Sequence, residues 1–185
     1  MTLNETRTQI QESDEFVLRE IEKIRYLYRL KTEIRYAQKR DDQTDTESVA
    51  EHIYGMHVLA HYFLPLEESG EAMDTQKVFQ LITWHDMDEI ETGDVVSHWK
   101  TEQHRIDAEQ ALPVVLSKMP SLLSHYVAPL IEEYEQQRSP EAQFVKAIDK
   151  AEPLFEVRGE KYKRIMHQNK NTLDDHWNTK RVYIE

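Results

Sequence analysis

The segment VFQLITWHDMDEIETGD (residues 78–94) is an apolar run that ends in a histidine followed at once by acidic residues. Helical spacing puts its apolar side chains and His85 on one face, so we expect the histidine to face the core. Asp86 adds a carboxylate beside the imidazole, and this pairing suits a divalent cation with mixed nitrogen and oxygen ligands. Glu89 follows His85 by one helical turn and is expected above the same point. So much acid beside one buried histidine predicts a bound cation.

The composition of the whole chain limits the classes of protein to which it can belong. Among 185 residues, Asp and Glu (35) outnumber Lys and Arg (23), which gives a formal net charge of −12 at pH 7. Such a surface repels nucleic acid and anionic lipid, so neither a nucleic-acid polymer nor a membrane is expected as a partner. The sequence has no cysteine, which excludes disulfides, thiol catalysis and cysteine-ligated zinc. Without a membrane-length apolar run or a signal-peptide pattern, the expected location is the cytoplasm.

Scarce glycine (4) and proline (6), with long stretches of 3.6-residue periodicity, predict an all-α fold in a single domain. We expect a flexible N-terminus over residues 1–13 and one helical domain over residues 14–185. The predicted helices run over residues 14–31, from Val49 until Pro65, from Asp74 or Thr75 to Gly93, from about 101 towards 118, over 122–134, from Pro140 to Asp149 and over about 158–177. Pro113 is expected to bend or break the helix that contains it, and Pro129 is a second irregularity of this kind.

Two helix starts carry strong local signals, and both determine which side chains face inward. A capping box begins at Ser48 and puts His52 on the apolar face of its helix. Ser139 followed by Pro140 suits the first turn of a later helix, which ends its apolar run at an inward Asp149. One inward histidine alone is most often a core residue bonded to a carbonyl. Three helices that each direct a metal-competent group to their apolar side predict one shared site.

Three separate motifs resemble the HD-domain metal-dependent phosphohydrolases: SVAEH (48–52), HDMDEIETGD (85–94) and VKAIDK (145–150). In detail they are similar to the subgroup that contains bacterial 5′-deoxynucleotidases and the human HD-domain-containing protein 2. The resemblance covers roughly residues 25–155 and implies a helical bundle, an HD domain, around a central divalent metal. The metal ligands that it implies are His52, His85, Asp86 and Asp149.

The same resemblance implies further roles. Glu89 and Asp94 match an acidic pair beside the metal-bound water, and we expect them to carry acid–base chemistry. Arg35 matches by position an arginine that contacts the substrate phosphate, with Tyr36 where the family usually has a tryptophan-like residue. Lys100 is similar to a lysine-rich stretch after the Gly-Asp motif, so it is expected to bind substrate too. The resemblance also suggests a homodimer.

Two imidazoles and two carboxylates suit Mn²⁺, Co²⁺, Fe²⁺ or Ni²⁺, and Zn²⁺ also binds such a set strongly. We expect one such cofactor ion for each chain. His98, His104 and His125 lie between the second and third motifs, but no spacing marks them as ligands of a second ion.

The leading prediction is a hydrolase that cleaves a phosphate monoester, with a nucleoside 5′-monophosphate as its small-molecule substrate. One alternative is a phosphodiesterase acting on a cyclic or signalling nucleotide, which two metals per chain would favour. The other is a non-catalytic nucleotide-binding regulatory protein whose metal is structural. A structural metal requires none of Glu89, Asp94 and Arg35, so their presence favours an enzyme.

Overall fold

The computed structural model describes residues 1–41, 45–68, 70–157, 159–170, 172, 178 and 180–183. The α-helices in these ranges are α1 (Leu3–Glu12), α2 (Asp14–Leu27), α3 (Val49–Phe63), α4 (Thr75–Trp84), α5 (Glu89–Thr92), α6 (Glu102–Lys118), α7 (Ser121–Gln136), α8 (Pro140–Glu156) and α9 (Gly159–Asn169). Short 3₁₀ turns cover Tyr28–Lys31, Leu64–Leu66, Gly70–Ala72, Ser97–Trp99 and Arg181–Tyr183. Within the described ranges there is no β-strand, only an isolated bridge between Ile34 and Ser48. The predicted all-α fold is confirmed.

The main core lies between α3, α4, α7 and α8. Met56, Val78, Ile82 and Val145 are among the side chains at its centre with no exposure to solvent. Burial of each contributes roughly 1.5–3 kcal/mol relative to leaving it exposed. These side chains form the apolar faces on which His52, His85 and Asp149 also lie, so helix packing carries the three polar groups to the centre of the molecule.

Helix starts agree with the sequence where a side-chain cap was predicted. The Ser48 hydroxyl accepts a hydrogen bond from Glu51 N while the Glu51 carboxylate accepts one from Ser48 N, and Ser139 caps α8 ahead of Pro140. At α4, Asp74 accepts a hydrogen bond from Lys77 N. Each cap satisfies an amide that the helix leaves without a partner. Residues 1–13, predicted to be flexible, contain α1, and no helix was predicted there.

The prediction that the helix carrying His85 continues to Gly93 is wrong. The α4 helix ends at Trp84, residues 85–88 form a turn, and the short α5 helix then ends at Gly93, where φ is +73°. His85 Nδ1 lies 2.9 Å from the carbonyl oxygen of Ile82, which a continuing helix would use for the amide of Asp86. Neighbouring residues of an α-helix point about 100° apart, so this break lets His85 and Asp86 approach one point.

Pro113 was predicted to bend or break its helix, and the prediction of a break is wrong because α6 continues through this residue. Helix α7 likewise continues through Pro129. The carbonyl groups that lose a partner belong to Glu109 and His125, both exposed residues, so water can bond them. The predicted last helix is observed as α9, and part of its predicted range, including residues 171 and 173–177, lies outside the described residues. No helix in the described part of the chain has the length and apolar character needed to cross a membrane.

Candidate metal centre and active-site cavity

Three helices bring the predicted metal ligands to one buried point. His52 projects from α3, His85 lies at the end of α4, and Asp149 projects from α8. His52 is fully buried, His85 is 2% exposed and Asp149 is 7% exposed. The ring centroids of the two histidines are 5.8 Å apart. One nitrogen from each histidine and one oxygen of Asp86 all lie within 4.8 Å of one another.

The hydrogen bond of His85 fixes which of its nitrogens is available. Its Nδ1 lies 2.9 Å from the carbonyl oxygen of Ile82, and a carbonyl can only accept, so Nδ1–H is the donor. In the neutral ring Nε2 therefore keeps its lone pair. Nε2 is buried and has no hydrogen-bond partner among the described residues, although Asp86 Oδ2 lies 3.0 Å away.

The same arrangement occurs at His52 with a different acceptor. Its Nδ1 lies 2.8 Å from Oε2 of Glu152, and Nε2 points the other way, 3.5 Å from Asp149 Oδ1 and 3.9 Å from Asp86 Oδ2. Burial by itself would raise the pKa of Glu152, but the hydrogen bond and charge of His52 lower it, so the carboxylate accepts from Nδ1–H. The Nε2 atom of His52 is also buried and without a hydrogen bond in the described ranges.

The two aspartates face the same point as charged groups. Burial alone would raise the pKa of Asp149, but the ammonium of Lys150 and other neighbours lower it well below its ordinary value. Oδ2 of Asp149 accepts hydrogen bonds from Lys150 Nζ at 2.8 Å and from the Tyr134 hydroxyl at 3.0 Å. Its Oδ1 is the oxygen that faces His52. At Asp86, burial again opposes ionisation, but the neighbouring imidazole of His85 lowers the pKa.

These donors fit a divalent metal ion. Two buried imidazole nitrogens with no partner are costly unless something binds them, and two carboxylates complete a neutral set for a divalent cation. Mixed nitrogen and oxygen ligands suit Mn²⁺, Fe²⁺, Co²⁺ or Ni²⁺. Among the other candidate histidines, His104 accepts a hydrogen bond from Thr101 N at the start of α6, and His125 is exposed. The side chain of His98 lies outside the described part of the structure.

Glu89, a predicted acid–base group, lies in the wall beside the two aspartates. It is 5% exposed, and its Oε2 has no hydrogen-bond partner among the described residues. Burial, and then the negative charges of Asp86 and Asp94, raise the pKa of Glu89 well above its ordinary value. Lys100 Nζ lies 3.9 Å from Glu89 Oε1 with its side chain 55% exposed. The structure thus places Lys100 at the open side of the site.

Asp94 and Arg35 are tied to each other and to neighbouring carboxylates. Asp94 Oδ2 accepts a hydrogen bond from Tyr36 N at 2.9 Å, and its Oδ1 lies 3.5 Å from Arg35 Nε. Arg35 Nη1 lies 3.0 Å from a Glu47 oxygen and 3.4 Å from Glu152 Oε2. The arginine borders the cavity, but its guanidinium is already held by three carboxylates. A phosphate contact for Arg35 stays a prediction.

His85, Asp86 and Asp149 line a cavity of about 820 Å³. Lysines that the sequence argument did not single out line it together with Lys100; they are Lys146, Lys150 and Lys180. Lys180 is 3% exposed, and burial, then the charge of Lys150, lower its pKa to about 7. The cavity therefore gathers positive groups inside a strongly acidic protein.

Several residues of this site were not predicted from the sequence. Some of them have a signal in the helical spacing, whereas others are brought to the site only by the fold. Lys146 and Glu152 each lie three residues from Asp149 on the same helix, so helical spacing could have indicated both, whereas Lys150 is only its neighbour in sequence. Tyr134 belongs to another helix and carries no local signal of contact with Asp149. Lys180 lies 30 residues beyond Lys150, and only the fold brings it to the cavity.

Comparison with known proteins identifies relatives in sequence. A family model described as the HD domain matches residues 27–183. A 5′-deoxynucleotidase of Schizosaccharomyces pombe, hdd1, is 31% identical over 137 residues, which cover 71% of this chain and 67% of that protein. The 5′-deoxynucleotidase HDDC2 of Mus musculus is 33% identical over 114 residues, 60% of this chain and 54% of that one. The human protein of that name is 32% identical over 114 residues, 60% of this chain and 53% of that one. The chain thus spans about half the length of these mammalian relatives.

A solved structure shares the fold. It is described as a predicted metal-dependent phosphohydrolase from Magnetospirillum magnetotacticum, and it aligns with a TM-score of 0.73 at 20% identity. The alignment covers 91% of this chain and 83% of that one. A likeness at that level of identity establishes the common helical architecture.

Proposed function

The chain belongs to the HD-domain family, and from that premise we propose that it is a metal-dependent phosphohydrolase that cleaves a nucleoside 5′-monophosphate. One observation carries the proposal: the buried Nε2 atoms of His52 and His85 converge with Asp86 and Asp149, and neither nitrogen has a hydrogen-bond partner in the described structure. The names of the relatives, 5′-deoxynucleotidases, support the class of substrate.

In this proposal His52, His85, Asp86 and Asp149 hold one divalent ion, with Mn²⁺, Co²⁺, Fe²⁺ or Ni²⁺ favoured and Zn²⁺ admitted. Such an ion, when bound, polarises a phosphoryl oxygen and lowers the pKa of a coordinated water. The two aspartates balance the charge of a divalent ion, so an anionic substrate is not repelled. Tyr134 and Lys150 hold one oxygen of Asp149 and thereby direct the other towards His52.

The cavity lysines supply the attraction for a phosphate dianion. The side chain of Lys100 lies half-exposed at the open side of the cavity, and that of Lys180 is buried in the cavity wall. Ammonium groups bind phosphate oxygens through charge-assisted hydrogen bonds without fixing one geometry. Lys100 is therefore proposed to capture substrate, as the sequence predicted, and Lys180 to join it.

Glu89 is proposed to hold and transfer the proton that the leaving alcohol requires. Its pKa is raised by burial and by Asp86 and Asp94, so these surroundings favour its protonated form. A neighbouring cation acts in the opposite direction, which leaves Glu89 able both to accept and to donate. Asp94, fixed by the amide of Tyr36, is proposed to orient this exchange.

A substrate panel tests the proposal. Purified protein supplied with Mn²⁺ or Co²⁺ should release phosphate from nucleoside 5′-monophosphates and act poorly on 3′-monophosphates. The His85→Ala variant should release no phosphate from either substrate. Cleavage of bis(p-nitrophenyl) phosphate or a cyclic dinucleotide, with no action on monophosphates, would replace this function by that of a phosphodiesterase. Binding of nucleotides without turnover of any of them would favour the regulatory protein.

We further propose that the enzyme is a cytoplasmic homodimer in which residues 14–185 form the HD domain. The acidic composition and the resemblance to the family support these points. Light scattering on the purified protein tests the dimer directly: a mass near 44 kDa is expected from two chains of 22.1 kDa each (2 × 22.1), and a mass of one chain contradicts it.

A further inference from the structure

A row of charged side chains lies behind His52, on the side of the ring away from the proposed metal. Glu152 Oε2 lies 2.8 Å from His52 Nδ1, and Arg35 Nη1 lies 3.4 Å from the same oxygen. Arg35 Nη1 is also 3.0 Å from Glu47 Oε2. Glu47 and Glu152 are each 3% exposed. The described chemistry of the cavity uses neither glutamate.

This row is not itself a second metal site. Glu47, His52 and Glu152 lie close enough together to hold an ion, but the guanidinium of Arg35 already stands between the two carboxylates as their cation. Glu152 is also excluded as a ligand of the proposed ion. Its oxygen contacts Nδ1, whereas Asp86 and Asp149 face Nε2.

The two histidines therefore differ in the group that accepts the hydrogen bond from Nδ1. His85 donates from Nδ1 to a neutral backbone carbonyl, whereas His52 donates to a buried carboxylate. A carboxylate behind a metal-binding imidazole fixes the protonated nitrogen and the ring orientation, and it strengthens the opposite nitrogen as a donor. We propose that Glu152 is the positioning residue for His52, and that Arg35 and Glu47 hold Glu152 in place for that role.

A close approach between helices supports this assignment. Gly55 lies one turn after His52 on α3, and a Cβ built there would be 2.9 Å from Glu152 Oε1. A glycine inside a helix costs about 0.5–1 kcal/mol relative to alanine, so this position gives up stability. The missing side chain provides the space in which the second oxygen of Glu152 rests, and α3 and α8 can then place the carboxylate against the imidazole.

The proposal changes the expected role of Arg35. An arginine used only for substrate phosphate would affect KM and leave metal affinity unchanged. An arginine that holds Glu152 affects metal affinity through His52. Arg35→Lys separates the two roles, because lysine keeps the charge but lacks the planar guanidinium, whose Nη1 contacts Glu47 and Glu152 while Nε faces Asp94.

The test is the Kd of the metal-stripped protein for Co²⁺, measured by competition with a chromogenic chelator. Both the proposal and this test rest on the proposed metal centre. Glu152→Ala should weaken Co²⁺ binding roughly 10–100-fold, the usual effect of removing such a carboxylate. Glu152→Gln retains an acceptor oxygen and should lose less, and Arg35→Lys should also weaken binding. Glu141→Gln is the matched control, a buried glutamate at the far end of α8, and should keep the wild-type Kd.

Nitrogen-15 chemical shifts should show Nδ1 of His52 protonated in the wild type and a mixture of tautomers in Glu152→Ala.

The outcomes are distinct. A wild-type Kd for Co²⁺ in whichever Glu152 variant folds would overturn the proposal while leaving the metal centre intact. A wild-type Kd in Arg35→Lys, with only KM raised, would return Arg35 to the substrate and overturn its positioning role. Failure of the wild-type protein to bind Co²⁺ would overturn the metal centre and with it the proposed function.

Discussion

At the scale of the residue, two glutamates of one short helix show how surroundings divide chemical roles. Glu89 and Glu91 both belong to α5. Glu89 is buried beside Asp86, and its pKa is raised by burial and then by the charge of Asp86. The carboxylate of Glu91 lies on the surface, where hydrogen bonds from Lys118 and, to a smaller extent, from Tyr26 lower its pKa. Of the two, Glu89 is therefore the carboxyl whose surroundings favour the protonated form, which suits proton transfer.

Glu89→Gln tests this division. The substitution keeps the shape of the side chain but removes its capacity to transfer a proton, so turnover should fall by roughly 10²–10⁴-fold, the usual scale for a positioned acid or base. Metal content and the circular dichroism spectrum should stay as in the wild type. Glu91→Gln, two residues along the same helix, serves as the control and should retain turnover. Near-full activity in Glu89→Gln would refute the acid–base role, and loss of metal would make Glu89 a ligand instead.

The sequence predicted that His52, His85 and Asp149 would meet, because each follows an apolar face at helical spacing, whereas Asp86 joins them through the turn after α4. It did not predict what surrounds Arg35. The partners of this side chain, Glu47 and Glu152, stand 12 and 117 residues away along the chain. No periodic pattern contains that information, since ion pairs between distant segments form only after the helices pack. The same holds for Lys180.

At the scale of the element, buried polar contacts hold neighbouring helix ends together. Glu141, in the first turn of α8, accepts a hydrogen bond from Asp74 N at 3.0 Å, and Lys77 Nζ lies 2.9 Å from its other oxygen. Burial alone would raise the pKa of Glu141, but the bond from Asp74 and the ammonium of Lys77 outweigh it and lower the pKa below 4.5. The start of α4 is thereby fixed against the start of α8.

This contact predicts a pH-dependent stability. A carboxylate whose pKa is lower in the folded state stabilises the protein fully above its unfolded pKa, near 4.5, and loses that contribution as the pH falls further. Glu141→Gln should therefore reduce the free energy of unfolding at pH 7 by about 1.5 kcal/mol, the scale of a hydrogen bond to a charged group. Chemical denaturation at several pH values should show the difference from wild type shrinking below pH 4.5.

Glu109→Gln, on the exposed face of α6, provides the control for that experiment and should change stability little at any pH. A difference between Glu141→Gln and wild type that stays constant down to pH 3 would show that charge is not the source of the effect.

Most helices could be predicted because their caps and apolar periods are local features. The break at residues 85–88 could not, because it depends on the side chain of His85 taking a backbone carbonyl. The continuity of α6 and α7 through proline was also missed. In both helices the carbonyl that lacks a partner belongs to an exposed residue, and exposure is a property of the packed molecule.

At the scale of the whole molecule, the acidic surface contrasts with a cavity in which several lysines lie among acidic side chains. The net charge of −12 repels a nucleotide at long range, and this repulsion is weakened by salt. Inside the cavity, Lys100, Lys150 and Lys180 lie among acidic side chains, and we expect them, together with the proposed cation, to offset that negative charge for an anionic substrate. Only the packed fold creates this contrast, since the lysines come from three separate segments.

The central claim is that four side chains, one on α3, one on α8 and two in the turn after α4, hold a metal ion on which hydrolysis depends. The most direct measurement is elemental analysis of the purified protein combined with thermal unfolding of the stripped protein, with and without Co²⁺ or Mn²⁺. We predict about one ion per chain. We also predict a Tm that rises with added ion, by an amount corresponding to about 2.7 kcal/mol at 100 times the Kd, because the ion binds only the folded state. His85→Ala and Asp86→Ala should lose the ion, the rise in Tm and phosphate release together. A wild-type protein that carries no metal, shows no change in Tm on adding either ion, and still hydrolyses a nucleoside 5′-monophosphate would contradict the account.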